Sequence, residues 1–136
     1  MSTEEDDLPV PEAIARLTIY SDSSSADEIE VRIGLKPDEK WNKGEPWSRG
    51  RTYTTTAIEY HSPGGADSEP ADQLADLLTR IEPLAESLAA EREAGSQVRL
   101  KLALFEDTDN VMFSLPADLL TRIGSLGLEL EFDIYP

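Results

Sequence analysis

Apolar and polar residues alternate with period two in three parts of the chain, which predicts half-buried strands. In residues 15–22, ARLTIYSD, Ala15, Leu17 and Ile19 share one face, and Arg16, Thr18 and Tyr20 share the other. In residues 97–106, QVRLKLALFE, Val98, Leu100, Leu102 and Leu104 point inward, and Arg99, Lys101 and Ala103 outward. In residues 128–135, LELEFDIY, Leu128, Leu130, Phe132 and Ile134 are expected to face the core. Residues 52–61, TYTTTAIEYH, are rich in β-branched and aromatic side chains and read as another strand. VMFS at 111–114 is expected to return as a short one.

A different period marks the helices. Leu74, Leu77, Leu78, Ile81, Leu84 and Leu88 keep helical spacing through residues 70–94, with Pro83 inside the run. A proline there removes a backbone hydrogen bond, so a kink or two abutting helices is expected. Ser25 and Glu28 have the spacing of a capping box and open a short helix carrying Ile29 and Ile33, which Gly34 ends. Pro116 suits the first turn of a helix bearing Leu119, Leu120, Ile123 and Leu126. Strands that alternate are covered on one face only. The expected fold is therefore α+β, a two-layer α/β sandwich with a mixed sheet of four to five strands and helices mainly on one face.

At 136 residues the chain has the length of a single domain. Residues 1–12 hold five acids and two prolines and read as a disordered acidic tail, leaving residues 13–136 as one α/β domain. With no cysteine, disulfides and thiolate chemistry are excluded. The N-terminus lacks the cationic start and apolar run of a signal peptide, and no window approaches the ~20 apolar residues that span a bilayer. A soluble, cytoplasmic protein is the expectation.

The net charge is −16. Such a surface repels phosphates and anionic lipid, so neither a nucleic acid nor a membrane is an expected partner. A basic protein is the partner that this charge would attract; oligomeric state is not legible.

Residues 32–51 depart from the acidic background. They carry six bases (Arg32, Lys36, Lys40, Lys43, Arg49, Arg51) against three acids (Asp38, Glu39, Glu45), a local +3 where the rest of the chain is −19. Both tryptophans, Trp41 and Trp47, lie in the same stretch. Trp41, Lys43, Glu45, Trp47, Arg49 and Arg51 are accordingly the candidate partner- or ligand-binding residues. One reading is a flap, with at least one indole buried against the sheet or first helix and the cationic tips left at the surface. The other is a recognition element, because two exposed indoles on a monomer would mark a partner site.

Candidate chemistry is sparse. His61 is the only histidine, and a lone histidine at a strand end is most often an edge residue. EDTDN at 106–110 offers oxygen ligands but lacks the glycine and bidentate glutamate of an EF-hand, and reads as a turn. The acids of the long helix, Asp72, Asp76, Glu82, Glu86 and Glu93, line its solvated face. No phosphate-binding loop, nucleophile elbow or dinucleotide fingerprint occurs. No catalytic residue, metal or cofactor is expected. The function expected is a non-catalytic interaction module, immunity-type in the sense of neutralising a basic partner; the alternative is a small-ligand site or unrecognised enzyme under the tryptophan loop. Finally, Arg99 and Lys101 are expected beside Glu129, Glu131 or Asp133 on one sheet face.

Several segments together resemble a known bacterial family. IGLKPDEKWNKGEP, ARLTIYSD with the following ADEI, LLTRIEPLAESL and the terminal LGLELEFDIYP are similar, in order and spacing, to domain of unknown function 4279. The most specific positions are Gly34, Pro37, Lys43, Gly44, Glu82, Pro83, Asp133, Ile134 and Tyr135. Members commonly carry a tryptophan in the strand after the Lys-Gly loop, where this chain has Ile58 or Tyr60. The resemblance implies a small stand-alone bacterial protein and no established reaction.

Overall fold

The computed structural model describes residues 12–64, 69–105 and 112–135. Strand β1 (Glu12–Ser21) leads through the capped helix α1 (Ala26–Ile33) to a short edge strand β2 (Glu39–Trp41). A two-stranded ribbon follows, β3 (Pro46–Ser48) with β4 (Arg51–Thr52), and then β5 (Thr56–His61). Helix α2 (Pro70–Ile81), a 3-10 turn (Glu82–Leu84) and α3 (Ala85–Glu93) precede β6 (Gln97–Phe105), and α4 (Ala117–Ser125) precedes β7 (Leu130–Tyr135).

The main sheet has the order β2-β5-β1-β6-β7. It is mixed: β1 is antiparallel to both β5 and β6, and β7 is parallel to β6. The architecture is α+β, as the alternating strands require, with helices over the face that carries Ala15, Leu17 and Ile19. Against those three pack Ile58, Tyr60, Leu100 and Leu102 from the sheet and Ile29, Leu74, Leu78, Ile81 and Leu88 from the helices, all fully buried. Burying a leucine or isoleucine is worth ~1.5–3 kcal/mol, so this single layer holds the fold.

Local signals act where they were expected. Glu28 N–H donates to Ser25 Oγ while Ser25 N–H donates to Glu28 Oε1, a complete capping box. Pro83 sits in the 3-10 turn between α2 and α3, where its missing N–H costs least. Arg99 makes a bidentate pair with Glu131 (2.9 and 2.8 Å), joining β6 to β7.

Four expectations are corrected. The strand at 52–61 is interrupted, because Tyr53 exchanges backbone hydrogen bonds with Gly44 and Glu45 and so leaves the main sheet. Residues 112–116 form no regular element, the rest of VMFS lying outside the described residues. Pro116 precedes α4 with an extended ψ of 151° rather than occupying its first turn. Phe132 and Ile134 are in phase with the core leucines Leu102 and Leu104 but remain 49% and 57% exposed. The phase was right; β7 is an edge strand, and α4 packs chiefly on α2. The acidic tail up to residue 11 and the EDTDN turn lie outside the described residues.

Candidate functional site

The segment that carries both tryptophans forms an arm at the β2 edge of the sheet. Two glycines with positive φ, Gly44 (91°) and Gly50 (67°), turn the chain where residues with a side chain would be strained. Between them Gly44 N–H donates to Tyr53 O (2.8 Å) and Tyr53 N–H to Glu45 O (2.9 Å), extending the β3–β4 ladder. Asn42 secures the root: its Oδ1 accepts from Ala26 N–H at the start of α1 (2.9 Å), and its Nδ2 donates to Glu45 Oε1. Lys43 N–H donates to Thr56 Oγ1 (3.0 Å). The Lys40 ammonium reaches Asp27 and Glu30 on α1.

The indoles pack on the arm itself. Trp41 stacks on Tyr53 at 4.8 Å between ring centroids and 17° between planes, and Trp47 tilts against the same ring at 6.2 Å. The Arg51 guanidinium lies 5.6 Å from the Trp47 ring centre, a cation–π contact. Trp41 is partly buried where β2 joins the main sheet and Trp47 is 50% exposed, so the two indoles differ and neither belongs to the core under the helices. Strand register explains why. Trp41 faces Ala57 across β2–β5, in phase with Glu39 and Glu59, and this is the sheet face opposite the helices. Lys43, Glu45, Arg49 and Arg51 are all exposed. Among the described residues no ion pair engages Lys43, Arg49 or Arg51. The structure thus brings all six sequence-selected residues onto the arm and its root, with an aromatic stack as its spine, Lys43 near its root and Arg49 and Arg51 at the β3–β4 turn.

Beside the arm root lies a second group that single-sequence reasoning missed. Glu39 on β2 is directly opposite Glu59 on β5, and His61 lies two residues further along β5 on the same face. One ligand atom from each of the three lies within 4.8 Å of the other two. His61 Nε2 is 2.5 Å from Glu59 Oε1 and 4.0 Å from Glu39 Oε2. Thr18 Oγ1 donates to Glu59 Oε2 (2.7 Å). Burial pushes the Glu59 carboxyl upward, but the hydrogen bonds from His61 and Thr18 outweigh it and hold the group below its ordinary range. The hydrogen bond to Glu59 raises His61, against the opposing effect of burial. Asp38 braces the pair of strands: its N–H donates to Glu59 O (2.9 Å), its Oδ2 accepts from His61 N–H (2.8 Å), and Arg80 of α2 clamps the carboxylate. The i, i+2 spacing of Glu59 and His61 in TAIEYH was a readable signal. The approach of Glu39 was not, since it depends on strand pairing.

Among the clefts that the described residues form, two lie beside the sheet strands β1 and β5. One of about 230 Å³ is lined by Tyr20, Ser21, Asp22, Thr55, Gly95, Gln97 and Arg99. The other, of about 560 Å³, is lined by Asp38, His61, Ser62, Pro63, Asp76 and Arg80. Neither is lined by residues 39–53. No helix among the described residues is long and apolar enough to cross a membrane.

A five-stranded mixed sheet with helices on one face and a projecting β arm at its edge defines a small α+β protein with no fold-level commitment to a reaction. The chain belongs to the family described as Domain of unknown function (DUF4279), whose model matches residues 11–136. Neither a curated protein nor a solved structure matches it.

Proposed function

We propose that this protein is a non-catalytic protein-interaction module whose arm, residues 39–53, docks on a basic protein partner. The observation that carries the reading is the half-exposed Trp47, backed by Tyr53 and flanked by Arg51, on an arm whose backbone hydrogen bonds are already made. Preorganised aromatic and arginine side chains are what interface anchors consist of, because little ordering entropy is lost when they bind. Charge supplies the second element. The body attracts a basic protein over long range, while Lys43, Arg49 and Arg51 favour an acidic or aromatic recess within it. An anionic body with cations along the arm also orients the encounter. Neutralisation of a basic toxin or nuclease is the immunity-type form of this proposal.

The test is capture from the native lysate at low and high salt with wild type, Trp47→Ala and the double variant Lys43→Ala/Arg49→Ala. A stoichiometric basic partner that is held by wild type, lost from Trp47→Ala and weakened by salt in the double variant supports the reading. A partner held equally by all three contradicts it, as does the absence of any stoichiometric partner. The immunity-type form further expects the captured protein's activity to fall as this chain is added to one equivalent.

A further inference from the structure

We propose that Glu39, Glu59 and His61 form a binding site for one divalent transition-metal ion of the zinc type on the polar face of the sheet. It sits at the root of the arm, where Glu39 begins β2, but does not rest on the arm's role in partner docking, and it departs from the expectation that this chain holds no metal.

The first argument is electrostatic. Glu39 and Glu59 are direct cross-strand partners, and like charges placed opposite each other destabilise a sheet. Glu59 is 9% exposed. A nearly buried carboxylate beside a second one calls for a cation. Among the described residues neither acid is within ion-pair distance of a lysine or arginine; the imidazole of His61 is the group they share. A metal ion bound between the three would satisfy both carboxylates at once.

The second argument is the construction of the site. Thr18 holds Glu59 Oε2 and so leaves Oε1 turned toward His61, the arrangement by which an outer partner orients a ligating carboxylate. The Asp38 hydrogen bonds fix β2 against β5 and thereby the root of Glu39. Metal bonds of ~2.0–2.2 Å place neighbouring ligand atoms roughly 3.3 Å apart. His61 Nε2 and Glu59 Oε1 therefore open from 2.5 Å, and Glu39 Oε2 closes from 4.0 Å. Glu39 supplies that movement, its side chain being 61% exposed. One imidazole and two carboxylates, with no thiolate, suit zinc, iron or manganese better than calcium or copper(I). Three protein ligands leave a coordination position open to solvent.

One group opposes binding. Arg16 of β1 is directly opposite His61, and its charge acts on both His61 and Glu59. With a neutral imidazole the four side chains still sum to −1, so a divalent cation is favoured, but Arg16 weakens it.

The probe is zinc alone, titrated calorimetrically into the full chain after stripping with a chelator. Wild type is expected to bind one equivalent saturably, in the presence of excess magnesium. Glu39→Gln and His61→Gln should each weaken binding by at least about tenfold, the scale on which such sites respond to a lost partner. Arg16→Gln should tighten it. Glu86→Gln, an exposed helical carboxylate, should leave it unchanged. Because Glu39 is exposed, Glu39→Gln is expected to fold, and its far-UV circular dichroism verifies that the loss is local. Zinc binding that is non-saturable, is removed by magnesium, or is the same in Glu39→Gln as in wild type overturns the proposal.

Discussion

Replacing Trp47 by alanine separates an arm that stands on its own from one that anchors the fold. Trp47 is 50% exposed. About half of a side chain of ~200 Å² is then withdrawn from water, and ~100 Å² at ~25 cal/mol per Å² gives an upper limit of about 2.5 kcal/mol. Its aromatic and cationic neighbours, Tyr53 and Arg51, are members of the same arm. The loss therefore falls on the local equilibrium of the arm, while β5, β1 and β6 keep their pairing. Global stability, read as the urea midpoint by far-UV circular dichroism, should drop by less than about 1 kcal/mol. Near-UV circular dichroism of the remaining Trp41 should change more, because its stacking partner Tyr53 loses a neighbour. Leu102→Ala is the scale: at 0% exposure in the central sheet it should cost about 3–5 kcal/mol. If Trp47→Ala cost as much as Leu102→Ala, the indole would be an anchor of the core and the reading of the arm would be wrong.

Two further predictions concern groups that brace the fold. Tyr60 donates from its hydroxyl to Leu35 O (2.6 Å), beneath the Arg80 guanidinium, and burial pushes its phenol up to about 12. Tyr60→Phe should cost about 1 kcal/mol by leaving the Leu35 carbonyl without that donor, and should remove from the alkaline ultraviolet titration a phenol that ionises near pH 12. Glu91 is 3% exposed; hydrogen bonding to Arg32 holds its carboxyl below the ordinary range, against burial and with help from Ser96. Its stabilisation is present above the unfolded carboxylate range and is lost as pH falls through the lower folded value. The stability gap between wild type and Glu91→Gln should thus be full at pH 7 and shrink below pH ~4.3, as paired urea titrations would show. A gap that widens in acid would contradict it.

How much was legible follows from what is local. β1, β6, the capping box of α1 and the break at Pro83 rest on periodicity or on residues three to four apart; each forms as the chain alone predicts, except that β1 starts at Glu12, the last residue assigned to the tail. The arm was legible as a composition but not as a shape. Strands of two and three residues hold no period, and Gly44 and Gly50 show their purpose only through the Tyr53 hydrogen bonds. Phe132 and Ile134 kept the right phase and the wrong burial, since alternation says which way a side chain points and not what covers it. The Glu39–Glu59–His61 group depends on the pairing of β2 with β5, two segments separated by the whole arm.

Photo-crosslinking tests the central claim most directly, with a crosslinking amino acid placed singly at position 47 and at position 120. Both native side chains are 50% exposed, Trp47 on the arm and Leu120 on α4, so exposure alone favours neither. Docking through the arm predicts a stoichiometric adduct with one basic protein from position 47 and none from position 120. An adduct from position 120 alone, or equal adducts from both, would contradict it.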